Sequence, residues 1–251
     1  MTDIDWSTIR AALFDMDGVL TRTAVLHAAA WKRLFDDYLS RRAGGTLPPF
    51  DPDTDYRRYV DGKLREDGVA SFLASRGILL PAGGPADDPD AETIAGLAKK
   101  KDAYFTALLK DKGVDVYEDG MVFLQAVRAY GLKTAVVSAS RHAKAVLTQA
   151  NLLPLFDVCV DGEESRRLHL KGKPDPAAFI EAARRLSVVA SEGMVLEDAL
   201  AGVQAGHRGG FGLVIGVDRG NQAADLKVQG AHVVVSDLRD ALPPHLKSAA
   251  A

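Results

Sequence analysis

Short apolar runs that alternate with longer amphipathic stretches dominate the chain from about residue 115 onward. This alternation is typical of successive strand–helix units. The runs are rich in Val, Leu and Ile, which favours strands buried on both faces of a parallel sheet. With one earlier apolar run added, the predicted strands are 11–14, 133–137, 158–160, 193–196, 213–217 and 232–235, and the predicted helices between the later strands are 120–130, 141–151, 176–186, 200–206 and 223–229. The pattern predicts an α/β fold with a doubly wound, Rossmann-like parallel sheet.

The stretch between the first two predicted strands has a different character. Its helical patterns are separated by segments rich in Gly, Pro and Asp, and they lie at 25–40, 66–76 and 92–110. We therefore expect an α/β core of residues 1–21 and 114–251 with an inserted all-helical cap domain of residues 22–113. Such a cap either closes over the carboxyl edge of the sheet and excludes water or packs permanently against it, and the periodicity fits both arrangements.

Composition excludes several classes of protein. The 31 Lys and Arg residues against 34 Asp and Glu give a net charge of −3, which does not create the basic field that nucleic-acid binding needs. Cys159 is the single cysteine, so the chain has neither an internal disulfide nor a cysteine metal cluster. The sequence has no apolar stretch that could span a bilayer and no signal-peptide pattern. We expect a cytoplasmic monomer or weak homodimer that binds neither nucleic acid nor membranes.

Two acidic residues directly follow the first predicted strand. Asp15 and Asp17 come after the apolar run 11–14, so they would lie at the carboxyl end of a parallel strand, where open α/β sheets bind ligands. Two carboxylates this close need a cation or a shared proton. Mg²⁺ is commonly held by one or two carboxylates together with substrate phosphate, so the pair favours phosphoryl chemistry. The same Asp-x-Asp spacing also occurs in solvated turns. Other positions in the sequence must therefore distinguish a catalytic pair from a solvated turn.

Three further positions follow or lie just after predicted strands. Ser138 precedes a predicted helix, where its hydroxyl could help bind an anion or could simply cap the helix. Lys173 stands next to Pro174 on a stiff turn, as a point charge for phosphate or as a surface lysine. Glu197 and Asp198 follow the strand 193–196 as a second acidic pair, or as the acidic start of a helix.

The order of these groups resembles the four motifs of the haloacid dehalogenase superfamily of phosphotransferases, over residues 10 to about 240. The resemblance implies that Asp15 is the nucleophile that becomes an aspartyl phosphate, and that Asp17 is the general acid and base. The implied cofactor is Mg²⁺, with these ligands: Asp15, Asp17 through its backbone carbonyl, Asp198, and Glu197 in support. The groups implied to hold the transferring phosphoryl oxygens are Ser138, the N–H of Ala139, and Lys173.

The predicted cap narrows the resemblance to one family within the superfamily. His27 and Trp31 are four residues apart and share a helix face. The chain resembles the β-phosphoglucomutases at this pair and at four further places: the segments 61–67 and 99–102 and the motifs 138–141 and 196–202. The resemblance implies a small phosphosugar substrate, interconverted between β-glucose 1-phosphate and glucose 6-phosphate through a bisphosphate. The substrate-binding residues implied are His27, Trp31, Gly62, Arg65, Lys101, Ser140 and Arg141.

Individual roles follow from the same resemblance. Arg65 would bind the phosphate that is not being transferred, His27 would help to orient Asp17, and Lys101 would tie cap to core. Judged from the residues alone, Trp31 is a core residue and His27 a solvated neighbour. Arg65 has an alternative interpretation as an exposed residue at a helix start.

Two positions depart from the family pattern. The family commonly has an acidic residue where this chain has Arg22, and a lysine where it has Asp61. An acid near the second phosphate would repel it unless a neighbouring cation such as Lys63 compensates; Arg57 and Arg58 are the other candidates. The alternative activity is therefore a phosphatase of the same fold acting on a small sugar phosphate. A third class, a phosphosugar-binding regulator without activity, is disfavoured because the motif residues are intact.

Overall fold

The computed structural model describes residues 6–42, 47–243 and 246. The chain forms two compact units: a core made of Met1–Arg22 and Asp115–Ala251, and a cap made of Thr23–Val114. Among the described residues, no helix is long and apolar enough to cross a membrane.

The core contains a six-stranded parallel sheet, which confirms the predicted fold class. Its strands are β1 Ala11–Phe14, β2 Lys133–Val137, β3 Val158–Val160, β4 Gly193–Glu197, β5 Leu213–Val217 and β6 Val233–Val235. The order across the sheet is β3-β2-β1-β4-β5-β6. Strands β1, β4 and β5 are buried at every position, which is why they read as continuous apolar runs. The half-buried Cys159 lies in β3.

In the part of the cap that the structure describes there are three α-helices: α1 Ala24–Arg42, α2 Arg65–Ser75 and α3 Ile94–Lys112. A short π-helical turn, Tyr56–Val60, precedes α2. Aromatic side chains form the interior of the cap. The ring centres of Phe35 and Phe72 lie 4.0 Å apart, and the stacked rings of Trp31 and Phe35 have their centres 5.2 Å apart. The cap therefore has a hydrophobic centre of its own.

The described residues of the core form six α-helices: α4 Glu118–Ala129, α5 Ala143–Gln149, α6 Gly162–Arg167, α7 Ala177–Arg185, α8 Leu200–Arg208 and α9 Ala223–Val228. Helix α5 begins two residues later than the predicted 141, because serine hydroxyls hold the preceding backbone as turns. Ser138 Oγ accepts from the N–H of Ser140 at 3.1 Å, and Ser140 Oγ accepts from the N–H of His142 at 3.2 Å. Helix α6 was not predicted, since its six residues carry no apolar periodicity.

The two chain segments that border the cap are paired within the core. Thr21 and Val116 form an isolated antiparallel bridge, and the N–H of Arg22 donates to the carbonyl of Asp115 at 2.8 Å. The Arg22 side chain forms an ion pair with Asp115 at 3.3 Å and lies 4.2 Å above the ring of Tyr117. The cation that replaces the family's acid at this position is thus matched by an acid on the neighbouring segment.

Candidate active site

The sheet brings the predicted catalytic groups of the core to one edge. Phe14 at the end of β1 lies beside Val136 of β2 and Leu196 of β4. Because parallel strands end at the same edge, the residues that follow these three positions are neighbours. Asp15, which comes next, donates its N–H to the carbonyl of Leu196 at 2.9 Å.

A buried lysine links two of the acids. Lys173 Nζ donates to Asp15 Oδ1 at 2.5 Å and also to Glu197 Oε1. All three side chains are at least nine-tenths buried. Lys173 enters from the loop between α6 and α7 rather than from a strand end, and Glu197 is the last residue of β4 rather than the first residue after it. A charged residue can end a buried strand here because Lys173 neutralises it.

The electrostatics of the cluster are dominated by burial and by neighbouring acids. Burial is the main cause that raises the pKa of Asp15, and the neighbouring charges of Glu197 and Asp17 raise that pKa further. Lys173 lowers the pKa of Asp15, but by less than these three effects together raise it. Burial lowers the pKa of Lys173, but the Asp15 and Glu197 carboxylates outweigh it and raise that pKa, so Lys173 stays protonated. The cluster therefore contains more acid groups than its one lysine can balance.

The same acids fit a hard divalent cation. One oxygen from each of Asp15, Glu197 and Asp198 lies within 4.8 Å of the others, and all three residues are buried. An all-oxygen set of this kind suits Mg²⁺. Glu197 already accepts from Lys173 through Oε1 and from the N–H of Ala199 through Oε2, at 3.1 Å, so a metal would share its oxygens. This geometry suits Glu197 to a supporting role.

The loop after β1 approaches this cluster very closely at Gly18. A Cβ atom at Gly18 would lie 1.8 Å from Asp198 Oδ2, and the residue has a φ of +89°. Only glycine combines that conformation with that approach. On the same loop, the half-buried Asp17 accepts at Oδ2 from Ser138 Oγ at 3.3 Å. The structure thus brings the second acid next to the hydroxyl at the end of β2.

The loop of Ala139, Ser140 and Arg141 packs against the start of α6. Ser140 accepts at its carbonyl from the N–H of Gly162 at 3.1 Å. A Cβ at Gly162 would lie 2.5 Å from the carbonyl of Ala139. Arg141 lies 3.5 Å from Glu163 in an ion pair. The backbone at 139–141 is therefore fixed by the unpredicted helix α6.

In the cap, Lys101 and His27 lie side by side. Lys101 is buried, with Nζ 2.6 Å from His27 Nδ1 and 4.9 Å from the ring centres of Trp31 and Phe105. The His27 ring stacks on Phe105 at 3.9 Å. Trp31 is a buried core residue of the cap, and His27 is half-buried rather than solvated.

Arg65 begins α2, as expected, but its side chain is only 11% exposed, so its interpretation as an exposed helix-start residue is wrong. It forms an ion pair with Asp102 at 2.9 Å. Gly62 occupies the turn before α2 with a φ of +68°. Lys63 donates to Ser71 at 3.0 Å. Arg57 pairs with Asp53, so these two candidate partners of Asp61 have other contacts of their own.

Comparison with known proteins decides the family. Residues 9–210 match the model of the haloacid dehalogenase-like hydrolases. The chain belongs to this family. It is 48% identical over 240 residues to a β-phosphoglucomutase of Mycobacterium tuberculosis, covering 93% of this chain and 92% of that protein. It is also 31% identical over 240 residues to the validoxylamine A 7′-phosphate phosphatase of Streptomyces hygroscopicus, covering 94% and 98% of the two chains.

Solved structures agree with this assignment. The β-phosphoglucomutase of Clostridium difficile superposes with a TM-score of 0.72 at 25% sequence identity, covering 96% of each chain. Both resemblances read from the motifs, to the haloacid dehalogenase superfamily and to the β-phosphoglucomutases within it, are confirmed.

Two contacts of this haloacid dehalogenase-like core were not predicted. Arg219 Nε donates to the carbonyl of Gly18 at 3.0 Å, and Gln222 Nε2 donates to the carbonyl of Asp198 at 2.8 Å. Both residues follow β5, at the same sheet edge as the acids. That placement was the one signal in the sequence that could have indicated them.

Proposed function

We propose that this chain is a Mg²⁺-dependent β-phosphoglucomutase, which interconverts β-glucose 1-phosphate and glucose 6-phosphate through the 1,6-bisphosphate. The observation that carries the proposal is the buried cluster of Asp15, Lys173, Glu197 and Asp198, with Asp17 next to Ser138. The 48% identity to a protein named β-phosphoglucomutase supports this substrate.

In the first half-reaction, Asp15 attacks phosphorus. Since Lys173 holds Oδ1 of Asp15, the attack falls to Oδ2. The new bond between Oδ2 and phosphorus forms as the bond from phosphorus to the sugar oxygen breaks, and Asp17 donates a proton to that leaving oxygen. Asp17 lies on the half-buried loop beside Ser138, where it can meet both the substrate oxygen and the transferring group.

In the second half-reaction, Asp17 removes the proton from the accepting hydroxyl of the sugar. That oxygen attacks the phosphorus of the aspartyl phosphate, and the bond to Asp15 breaks. Lys173 and Ser138 orient the phosphoryl oxygens throughout, so positioning supplies much of the rate. Mg²⁺ would be held by Asp15, the Asp17 carbonyl and Asp198, with Glu197 in support. The bound ion would neutralise the phosphoryl charge.

A mutase must recognise two phosphates, whereas a phosphatase needs one. We assign the second phosphate to Arg65, whose ion pair with Asp102 fixes the direction of its guanidinium. The further substrate-binding residues of the proposal are His27, Gly62, Lys101, Ser140 and Arg141. The buried Trp31 acts through Lys101, whose Nζ lies 4.9 Å from the Trp31 ring. The 31% identity to the validoxylamine A 7′-phosphate phosphatase favours hydrolysis as the second candidate activity.

The deciding experiment supplies β-glucose 1-phosphate with a catalytic amount of glucose 1,6-bisphosphate and MgCl₂. Glucose 6-phosphate and inorganic phosphate are measured in the same reaction. We expect glucose 6-phosphate to form at least about 100-fold faster than phosphate, and Asp15→Asn to lower the rate by about 10⁴-fold or more because the nucleophile is lost. Phosphate release without glucose 6-phosphate would establish the phosphatase instead.

A further inference from the structure

The five-residue segment Asp218–Gln222, directly after β5, touches both acidic loops of the site. Arg219 Nε donates to the carbonyl of Gly18, at 3.0 Å, on the loop that carries Asp15 and Asp17. Gln222 Nε2 donates to the carbonyl of Asp198 at 2.8 Å. One short segment therefore holds the backbone of both loops that carry the acids.

Arg219 is itself fixed on every side. Its guanidinium pairs with the buried carboxylate of Asp119 at 3.0 Å and donates to the carbonyl of Ser236 at 3.1 Å. The guanidinium also lies 3.9 Å above the ring of Tyr117. All three nitrogens of the guanidinium are thus engaged, which fixes the Nε donor that meets Gly18.

Gln222 is buried, with 6% of its surface exposed. Its backbone N–H and that of Gly220 both donate to Asp218 Oδ1, at 2.9 and 3.0 Å, which holds the segment in a tight turn. Its Oε1 is buried and accepts no hydrogen bond from the described residues. Among the described residues, the Gln222 side chain therefore makes one hydrogen bond, its donation to the Asp198 carbonyl.

The two loops that these residues hold are in very close contact with each other. The approach of Gly18 to the Asp198 carboxylate leaves no space for even a Cβ atom, as the 1.8 Å distance shows. A shift of either backbone would therefore displace the Asp198 carboxylate relative to Asp15. The separation of these two carboxylates is what a shared cation responds to.

We propose that Arg219 and Gln222 are positioning residues for divalent-cation binding: the backbone contacts of Arg219 with the Gly18 loop and of Gln222 with Asp198 set the spacing of the Asp15 and Asp198 carboxylates. The inference rests on the proposed function for its choice of cation. Its test is independent of the sugar, because it measures Mg²⁺ binding by the protein alone.

The variants are Arg219→Met, which keeps an unbranched apolar stem, and Gln222→Met, which keeps the side-chain length; both remove the donors. The matched control is Arg184→Met, since Arg184 is exposed and pairs with Glu181 on its own helix, α7. Isothermal titration of the metal-free proteins with MgCl₂ gives the dissociation constant. Thermal unfolding in EDTA shows that each variant is folded.

We expect the Mg²⁺ dissociation constant to rise about 10- to 100-fold in both variants and to stay within about twofold in Arg184→Met. In turnover assays, the Mg²⁺ concentration for half-maximal activity should rise by the same factor, while the sugar-phosphate KM at saturating Mg²⁺ stays within about twofold. If Arg219→Met does not fold, Arg219→Lys replaces it, because lysine keeps the charge beside Asp119 but loses the three-way contact.

Unchanged Mg²⁺ affinity in the folded variants overturns the inference, and so does wild-type protein that does not bind Mg²⁺ at millimolar concentration. Wild-type protein that binds Mg²⁺ but does not isomerise β-glucose 1-phosphate overturns only the proposed function, and the titrations still decide the role of Arg219 and Gln222.

Discussion

A Cβ atom at Gly202 would lie 1.8 Å from Oε1 of Glu197. Glu197 is completely buried at the end of β4, and the same Oε1 accepts from Lys173. Helix α8 can therefore pack against this carboxylate only because position 202 has no side chain. Glu197, Lys173 and Gly202 therefore form one packed unit.

Replacing Gly202 with Ala should break that unit. Alanine normally stabilises a helix interior relative to glycine by about 1 kcal/mol. Here the added methyl group displaces Glu197, so we expect the free energy of unfolding to fall by about 1–3 kcal/mol and turnover to fall with it. Urea unfolding at pH 7 measures the first effect. The control is Gly84→Ala, where a Cβ meets no atom within 4 Å. Unchanged stability of Gly202→Ala would contradict the packing described.

Removing the Lys173 cation should be costly for stability as well as activity. Lys173→Met leaves the buried carboxylates of Asp15 and Glu197 without their shared partner, so we expect a loss of about 3–5 kcal/mol in guanidinium unfolding at pH 7. Adding Glu197→Gln to that variant removes one of the two charges and should restore part of the loss. Lys171→Met, at an exposed position two residues away, is the control and should change little. Equal losses in the single and double variants would show that charge is not the cause.

Arg65 offers a test of phosphate recognition in the cap. We expect Arg65→Met to lower kcat/KM for β-glucose 1-phosphate with the bisphosphate by about 10- to 100-fold, because a charge-assisted contact to the second phosphate is lost. Hydrolysis of p-nitrophenyl phosphate, which has one phosphate and no sugar, should be unaffected. Asp102→Asn, which weakens the 2.9 Å ion pair but keeps the arginine, should have a smaller effect in the same direction. A parallel loss with both substrates would indicate a structural role for Arg65.

Two acids on the core surface should make stability depend on pH. Hydrogen bonds, the larger effect from Arg167 and the smaller from Arg185, lower the pKa of Glu164 to about 2. Hydrogen bonds from Arg184 and, to a smaller extent, Arg185 lower the pKa of Glu181 to about 2. Because both pKa values fall below the ordinary 4.5 on folding, the stabilisation is complete above about pH 4.5. It is lost as the pH falls through about 2.

Glu181→Gln should therefore be less stable than the wild type at pH 7, and the difference should shrink as the pH falls toward 2 and vanish below it. The difference at pH 7 should be small, since these pairs are near the surface, and 1 M NaCl should reduce it further. Thermal unfolding of both proteins across this pH range is the measurement. A difference that does not shrink between pH 7 and pH 2 would have to come from packing instead of charge.

The strands could be predicted because burial on both faces leaves a clear apolar signal, as in β1, β4 and β5. The placement of Asp15 and Ser138 followed from that signal, since parallel strands end together. Helix α6 left no such signal, because its residues are mostly charged and its start is fixed by Asp161, which accepts from the N–H of Glu164 at 2.8 Å.

The partners of the site residues were harder to predict than their positions. The ion pair of Arg65 with Asp102 joins residues on different helices, so the local spacing of residues in the sequence does not predict it. Arg219 and Gln222 act on backbone carbonyls, which every residue has, so their targets have no sequence signature. Contacts of this kind appear only once the fold is known.

The parallel pairing of β1 with β2 also has a consequence for how the chain folds. Residues 15–132 lie between these adjacent strands, so their pairing must close a long loop, which slows folding. The cap helices contact one another over shorter separations, and the bond between Arg22 and Asp115 keeps the two borders of the cap side by side. We expect the cap to form early and to shorten the loop that the sheet must close. The cap, to which the proposed function assigns substrate recognition, would then also speed assembly of the sheet that carries the acids.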